Sequence, residues 1–296
     1  MKAYIYPGQG AQFAGMGNAL YETGDLAQSY FAKANEIIGF DLCDIMRNGS
    51  EEDLRQTRVT QPAIFLHSII TGALRMQDTS DATAVAGHSL GEFSALVAAG
   101  VLKWEDAFAL VAQRAEAMQM ACDINPGTMA AIMCNDSTIV EITCAEIQAS
   151  SGEIVVPANY NTPGQLVISG SHEGVRLVSE AMTAKSAKAI PLSVGGAFHS
   201  PLMQPAQDKL SMAIENTVFH QPICPIYQNV DAQPNTDIFS IKDKLSLQLT
   251  APVRWQQTIE NMLANQIDSF VEVGGRGSIL LGMVRKINRA AQMANL

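Results

Sequence analysis

Short apolar runs alternate with amphipathic helical patterns along the first 124 residues. Residues 3–6 (AYIY) predict a buried strand that ends at the turn PGQG, and residues 82–86 (ATAVA) predict a second strand. Helical patterns lie between and after these strands, at residues 16–38, 61–76, 91–99 and 104–121. Because strand, turn and helix recur in this order, we expect an α/β fold with a mainly parallel sheet.

A different order of elements follows the first helices. The segments NPGTMAAIMC, EIVVPAN, GQLVISG and KAIPLSV predict four strands, and helical patterns at 137–149 and 171–187 separate them. This order, βαββαβ, is that of a ferredoxin-like unit. We therefore expect an inserted small subdomain at 125–195 and a larger core formed by 1–124 and 196–296. In the last part of the core, helices at 200–215 and 255–265 and a strand at 269–275 are predicted.

Composition and charge narrow the class of protein. The 296 residues are 47% hydrophobic and 16% charged, which is typical of a compact globular chain. A formal net charge of −10 makes nucleic acids and anionic membranes poor partners. No apolar run approaches the ~18 residues of a membrane helix, and MKAYIYPGQG does not have the pattern of a signal peptide. We expect a cytoplasmic protein and, by default, a monomer.

The cysteines favour neither disulfides nor a metal site. There are five of them, an odd number, and none has CxxC spacing. Buried free thiols in a reducing compartment explain this pattern best. The cysteines therefore give no sign of a zinc site, and neither a metal nor a bound cofactor is expected.

A candidate nucleophile stands where the second strand meets its helix. Residues Gly87-His88-Ser89-Leu90-Gly91 match the G-x-S-x-G elbow, a sharp strand-to-helix turn that projects the serine hydroxyl into a cleft. At this position Ser89 lies beside the free N–H groups of a helix N-terminus, which favour a developing oxyanion. The N–H of Leu90 is the natural first donor.

A serine hydroxyl needs a base, and the chain offers five histidines. His199 is the best candidate, because it follows a glycine pair where the chain re-enters the core. We expect His67 in the core, His172 and His220 at the surface, and His88 with its side chain turned away from the serine. No acid stands out as a third member, and a backbone or amide carbonyl could instead orient the imidazole.

Seven separate segments resemble the malonyl-CoA:acyl-carrier-protein transacylase family of type II fatty acid synthesis. They are PGQGAQ, TQPAI, GHSLGE, VAQRAEAM, ANYNTPGQLVISG, AFHSPLM and the Q-L-x-x-P-V-x-W run at 248–255. They occur in order from about Tyr4 to Ile287, which is almost the whole chain. The resemblance implies a hydrolase-like α/β core, with the ferredoxin-like insert closing over the cleft.

The resemblance also implies the catalytic groups. Ser89 and His199 would form a dyad, and the backbone carbonyl of Gln248 would orient the imidazole. The backbone N–H groups of Gln9 and Leu90 would form the oxyanion hole. The reaction would be a two-step transfer of malonyl from CoA to the phosphopantetheine thiol of acyl carrier protein, through a malonyl-serine intermediate.

Further residues would bind the substrate. Arg114 would hold the malonyl carboxylate, although on spacing alone an arginine in an amphipathic helix is more often solvated. Gln61 would lie near the acyl pocket, and Asn159 and Asn161 near the pantetheine arm. In related domains a Phe before the base histidine accompanies malonyl, so Phe198 argues against methylmalonyl.

One segment departs from the family pattern, at the edge of the cleft. VGGRGSILLG is one residue longer than the usual glycine-rich turn, so the shape of the turn Gly274–Gly277 is left open.

An acidic carrier protein requires a local basic patch on this acidic chain. The candidates are Arg285, Lys286 and Arg289, expected on the last helix, with Lys185, Lys188 and Arg276 as additions. Three alternatives remain: a serine thioesterase or hydrolase, a non-catalytic acyl-carrier-binding module, and a trans-acting acyltransferase of a polyketide pathway.

Overall fold

The computed structural model describes residues 1–75 and 82–296, and in this part of the chain ten strands and twelve α-helices are present. The strands are β1 Lys2–Tyr6, β2 Ala84–Gly87, β3 Thr128–Met133, β4 Val155–Thr162, β5 Gln165–Gly170, β6 Lys188–Pro191, β7 Ile226–Tyr227, β8 Pro234–Asn235, β9 Ser269–Glu272 and β10 Gln292–Asn295. The helices are α1 Asn18–Tyr21, α2 Asp25–Ile38, α3 Leu42–Asn48, α4 Thr57–Arg75, α5 Gly91–Ala98, α6 Trp104–Ile124, α7 Ser137–Ser151, α8 His172–Ala184, α9 Gln204–Glu215, α10 Ile238–Leu247, α11 Trp255–Ala264 and α12 Ile279–Ile287.

The strands form two sheets with different topologies. The larger sheet has the order β10-β9-β1-β2-β7-β8, and its pairs are parallel except for β7 with β8. The smaller sheet has the order β4-β5-β3-β6 and is antiparallel throughout. This is the strand order of a ferredoxin-like unit, and all of it comes from residues 128–191. The predicted fold class is therefore confirmed.

Alternating side chains on the central strands of the large sheet divide the core into two layers. Tyr4 and Tyr6 of β1 pack with α2, α4, α5 and α6 on one face. Ala3 and Ile5 of the same strand pack with α11 and α12 on the other face. Such strands are covered on both sides, as a parallel sheet requires. The carboxyl ends of β1 and β2 meet at one edge of this sheet, where loops can carry reactive groups.

Several predicted elements differ from the observed ones. The helix predicted at 16–38 is two helices, because Gly24 separates them with a φ of 111°, which a helix cannot include. The predicted end of the next helix at residue 76 lies outside the described residues. His220 is exposed, as expected, in the loop after α9. The five cysteines are free, although Cys134 is partly exposed rather than buried.

None of the described helices combines the length and apolar character needed to cross a bilayer.

Candidate active site

The candidate nucleophile occupies a sharp turn at the carboxyl edge of the large sheet. Ser89 lies between β2 and α5 with a φ of 52°, in the left-handed region that non-glycine residues rarely adopt. The side-chain amide of Asn229 clamps the turn, because its Oδ1 accepts from Ser89 N at 2.7 Å and its Nδ2 donates to Gly87 O at 2.6 Å. The backbone strain is therefore held by a partner far away in the sequence.

His199 lies against this serine and is held in one orientation. The distance from its Nε2 to Ser89 Oγ is 2.8 Å. On the other side of the ring, Nδ1 is 2.9 Å from the carbonyl oxygen of Gln248 and 3.2 Å from that of Ala251. Because carbonyl oxygens only accept, the hydrogen must reside on Nδ1. Nε2 is therefore the acceptor for the serine hydroxyl, which is the state that a general base requires.

Arg114 brings a buried positive charge to the same serine. It is 1% exposed on α6, and its Nη2 donates to Ser89 Oγ at 3.0 Å and to Gln248 Oε1 at 3.1 Å. Its Nη1 donates to Gln61 Oε1 at 2.6 Å. Within the described residues its buried Nε–H has no hydrogen-bond partner. Burial lowers the pKa of Arg114 to about 10, so the guanidinium stays charged at neutral pH. This group can bind an anion delivered to the nucleophile.

A cavity of about 180 Å³ surrounds the Ser89–His199 pair. It is smaller than the ~300–1,000 Å³ of pockets for drug-sized ligands, so its volume suits a short acyl group. Gln9, Leu90, Asn159, Asn161 and Phe198 all line its wall. The structure thus brings all these candidate residues to one cavity.

Burial and charge keep the imidazole neutral. Desolvation, reinforced by the positive charge of Arg114, lowers the pKa of His199 to about 3. His88 lines the same cavity, but its Nε2 bonds to Asn161 Oδ1 at 2.9 Å and its ring packs against Trp255. The two histidines therefore contact different partners.

Comparison with known proteins agrees with this geometry. Residues 3–295 match the model of the acyl transferase domain, which is nearly the whole chain. The chain belongs to the acyl transferase family. This confirms the resemblance that the sequence motifs indicate and the expectation of an acyltransferase.

Named relatives cover this acyl transferase almost completely. It is 40% identical to malonyl CoA-acyl carrier protein transacylase of Bacillus subtilis (strain 168) over 288 residues, which are 97% of this chain and 90% of that protein. It is 39% identical to the protein of the same name from Escherichia coli (strain K12) over 287 residues, 96% and 92% of the two chains.

Solved structures of similar proteins superimpose closely. A crystal structure of an acyl carrier protein S-malonyltransferase from Vibrio cholerae has a TM-score of 0.93 and 36% identity, covering 100% of this chain and 96% of that one. A malonyl-transacylase in complex with a type II PKS acyl-carrier protein has a TM-score of 0.94 and 35% identity, covering 100% and 95%.

Sequence reasoning missed a buried acid directly behind the nucleophile of this acyl transferase. The carboxylate of Glu92 is fully buried and accepts from Asn229 N at 2.9 Å and from the side-chain amides of Gln228 and Gln248, each at 3.1 Å. Gln248 Nε2 also donates to the carbonyl of Ser89 at 3.0 Å. Glu92 therefore joins the elbow to the segment that orients the imidazole.

One signal in the sequence pointed to this network. Glu92 stands in the quoted motif GHSLGE, where a charged residue opens an otherwise apolar helix. Gln228 and Asn229 directly follow β7, the strand beside β2, at the carboxyl edge where sites form in parallel sheets. The strand is two residues long, so its sequence gave no strand signal.

Replacing Glu92 with glutamine is expected to lower the free energy of unfolding by about 3 kcal/mol, because the new amide hydrogens would face three existing donors. Urea denaturation measures this loss. The matched control is Glu116→Gln on an exposed position of α6, for which we expect no more than about 0.5 kcal/mol. Equal effects of the two substitutions would contradict the role of the buried network.

Stability is expected to fall as the pH drops from about 6.5 towards 4. Burial lowers the pKa of His67 to about 4, that of His199 to about 3, and that of His88 in the same direction, whereas the unfolded chain titrates near 6.5. In this window the unfolded state binds more protons, so each histidine removes up to about 1.4 kcal/mol per pH unit. Burial raises the pKa of Glu92, which offsets part of the loss.

Urea denaturation at pH 7.5 and at pH 5.0 tests this pH dependence. An unchanged free energy of unfolding across the two conditions would contradict the buried, neutral state of the histidines.

The six candidate docking residues stand on several different elements of this acyl transferase. Arg285 and Lys286 are exposed in the last turn of α12, two and three residues after Met283, which lines the cavity. Arg289 was expected on that helix but lies beyond its end. Asn288 ends the helix with an extended φ of −143°, and its side chain accepts a hydrogen bond from Ala290 N.

The remaining candidate cations stand on other elements. Lys185 bonds to Thr143 of α7, in the helical layer of the small sheet, and Lys188 lies on the edge strand β6. The guanidinium of Arg276 lies 5.4 Å from the ring centre of Phe13.

Proposed function

We propose that this acyl transferase moves a malonyl group from malonyl-CoA to the phosphopantetheine thiol of an acyl carrier protein, for fatty acid synthesis. The observation that carries the proposal is the buried guanidinium of Arg114, 3.0 Å from the hydroxyl of Ser89. A nucleophile with a fixed cation beside it favours an acyl group that ends in a carboxylate, because the planar fork of arginine matches a carboxylate. The relatives named malonyl CoA-acyl carrier protein transacylase support the same substrate and acceptor.

In the first half-reaction, His199 Nε2 removes the hydroxyl proton as Ser89 Oγ attacks the thioester carbonyl. The oxyanion is stabilised by the backbone N–H groups of Gln9 and Leu90, which line the cavity beside the serine. The backbone carbonyl of Gln248 accepts a hydrogen bond from Nδ1 and so stabilises the imidazolium that forms. The C–S bond then breaks, and His199 returns the proton to the departing sulfur of CoA, which leaves malonyl-Ser89.

The second half-reaction runs in the opposite direction with a new thiol. The pantetheine thiol of the carrier gives its proton to His199 and attacks the malonyl ester. The C–Oγ bond breaks, and the proton passes to Ser89. Asn159 and Asn161 on β4 would contact the pantetheine arm, and Phe198 would limit the size of the acyl group. This ping-pong sequence uses only side chains and backbone groups, so we propose no bound cofactor.

We propose that the two sheets act as two units around the cleft. The core would comprise 1–124 and 196–296, and the small subdomain 125–195. Strand β4 of the small sheet contacts the core directly, because Val253 N donates to Ala158 O at 2.8 Å and Tyr160 N donates to Val253 O at 2.9 Å. Asn159 is therefore fixed relative to the core.

Intact-protein mass spectrometry after brief incubation with malonyl-CoA tests the proposed function. We expect the wild type to gain one malonyl group and Ser89→Ala to gain none, followed by transfer of the group to added holo carrier protein. Loss of the group to water at the same rate with and without carrier would instead show a thioesterase. No adduct from malonyl-CoA, with one from acetyl-CoA, would contradict the assigned role of Arg114.

Carrier docking is proposed to use the end of α12, with Arg276, Arg289, Lys185 and Lys188 as further contacts. Arg285→Glu with Lys286→Glu is expected to raise the KM for carrier about 10-fold and to leave acylation by malonyl-CoA unchanged, because only the carrier is an acidic macromolecule. The matched control is Lys33→Glu with Lys209→Glu, which gives the same net charge on the other face of the large sheet. A similar change in KM for both pairs would show a general charge effect and no docking site.

A further inference from the structure

The turn Gly274–Gly277, which departs from the family pattern, fits between two parts of the core. Gly274, Gly275 and Gly277 all have positive φ, at 90°, 61° and 64°, which suits glycine alone. On one side, Gly274 packs directly against Ser68 of α4 with no room for a side chain. On the other side, a Cβ on Gly275 would lie 3.0 Å from the Cβ of Ala11.

The PGQG loop fills the space between this turn and the nucleophile elbow. A Cβ on Gly275 would also lie 3.3 Å from Cγ of Pro7. At the opposite side of the loop, a Cβ on Gly8 would overlap the carbonyl oxygen of His88. The loop that carries Gln9 is thus in contact with the elbow on one side and with the turn on the other. Displacement of the turn would let the loop move away from the elbow.

A hydrogen bond between the turn and a side chain of α4 holds the turn in place. The N–H of Gly275 donates to Nδ1 of His67 at 3.2 Å, and His67 is 8% exposed on α4. Because the backbone group is the donor, Nδ1 must be unprotonated. Phe13, which follows the PGQG loop, packs edge-on against the same imidazole with the ring centres 5.8 Å apart. His67 therefore contacts both the turn and the segment that continues the loop.

We infer that His67 is a positioning residue for the PGQG loop. Through its hydrogen bond with Gly275 it holds the turn against Pro7–Ala11, and the loop in turn holds the N–H of Gln9 directed at the reacting carbonyl. The inference rests on the proposed role of Gln9. Within the part of the chain that the structure describes, His67 makes no hydrogen bond to the catalytic dyad or to Arg114, so the effect is on the geometry of the transition state. Small misplacements of such a donor cost about 10-fold to 100-fold in rate.

Three substitutions separate the hydrogen bond from simple packing. Asparagine places an amide oxygen near the position of Nδ1, glutamine places its amide farther out, and phenylalanine keeps a ring without an acceptor. We expect His67→Phe and His67→Gln to lower the rate constant of acylation 10-fold to 100-fold with less than a 2-fold change in KM for malonyl-CoA. His67→Asn should restore most of the rate. Thr71→Val is the matched control, since it removes the longer, 3.5 Å contact to the same nitrogen and leaves the turn untouched.

Amide hydrogen exchange, measured on the same variants, reports on the loop without any turnover. We expect faster exchange in peptides covering 7–13 and 273–278 for His67→Phe and His67→Gln, and wild-type exchange for His67→Asn and Thr71→Val. Unchanged exchange at 7–13, or an unchanged acylation rate despite faster exchange, would overturn the inference. Absence of any acyl-enzyme in the wild type would refute the proposed function instead, and the positioning role would fall with it.

Discussion

Acylation of Ser89 by malonyl-CoA is expected to slow about 10⁴-fold when His199 is replaced by alanine. The imidazole Nε2 is the hydrogen-bond acceptor for the serine hydroxyl at 2.8 Å, and its other nitrogen is held by the carbonyl of Gln248. Without this base the proton has no acceptor at the moment of attack. Arg114 cannot substitute, because a guanidinium only donates. Rapid-quench mass spectrometry of the malonyl adduct measures the rate constant.

His220→Ala is the matched control, because this histidine is exposed in the loop after α9. We expect its acylation rate to equal that of the wild type. The free energy of unfolding of His199→Ala should be measured in parallel, so that a folding defect is not mistaken for a catalytic one. A His199→Ala variant that is folded and acylated within 10-fold of the wild-type rate would exclude the imidazole as the base.

Loss of the guanidinium is expected to change substrate choice as well as rate. Arg114→Ala should lower kcat/KM for malonyl-CoA about 10³-fold, since a carboxylate buried without its partner loses about 4 kcal/mol. For acetyl-CoA, which has no carboxylate to pair, kcat/KM should change less than 10-fold. Arg114→Lys should recover little, because an ammonium cannot reproduce the three bonds to Gln61, Ser89 and Gln248.

Comparison of the two thioesters separates recognition from structure. If Arg114 only stabilised the elbow, its loss would lower kcat/KM for malonyl-CoA and acetyl-CoA by the same factor. That result would contradict the proposed carboxylate site. Arg58→Ala, at an exposed position of α4, is the matched arginine control and should leave both substrates unaffected.

Sequence patterns predicted the strands and helices whose formation depends mainly on residues close together in the chain. The strands β1 and β2, the helix α6 and the strands β3, β4 and β5 of the small sheet carry apolar patterns that match their burial, whereas the edge strand β6 is mostly exposed. The two-residue strands β7 and β8 carry no such pattern, because pairing with neighbours rather than their own sequence defines them. The G-x-S-x-G spacing marked the nucleophile for the same local reason.

The rest of the site depends on contacts between distant segments. Ser89 and His199 are 110 residues apart, and Glu92 is 137 residues from the backbone amide of Asn229 that it accepts from. No periodicity relates such positions. Position in the chain suggested His199, and the family motifs suggested Gln248 and Arg114. Glu92 stands in the family motif GHSLGE, but an acid in the first turn of a helix is common at the surface, so this signal alone did not mark it as part of the site.

At the two reacting residues, the left-handed backbone conformation lowers the stability of the protein, whereas the side chains at the same positions are needed for its activity. Ser89 and His199 adopt φ values of 52° and 57°, and each such conformation costs about 1–3 kcal/mol outside glycine. Selection for durability alone would place glycine at both positions, which would abolish the hydroxyl and the imidazole. Glycine at these two positions would relieve the backbone but end the chemistry, so any attempt to make this protein more heat-resistant must draw its gains from other positions, among them Ser186, Ala232 and Gln266, which also have positive φ.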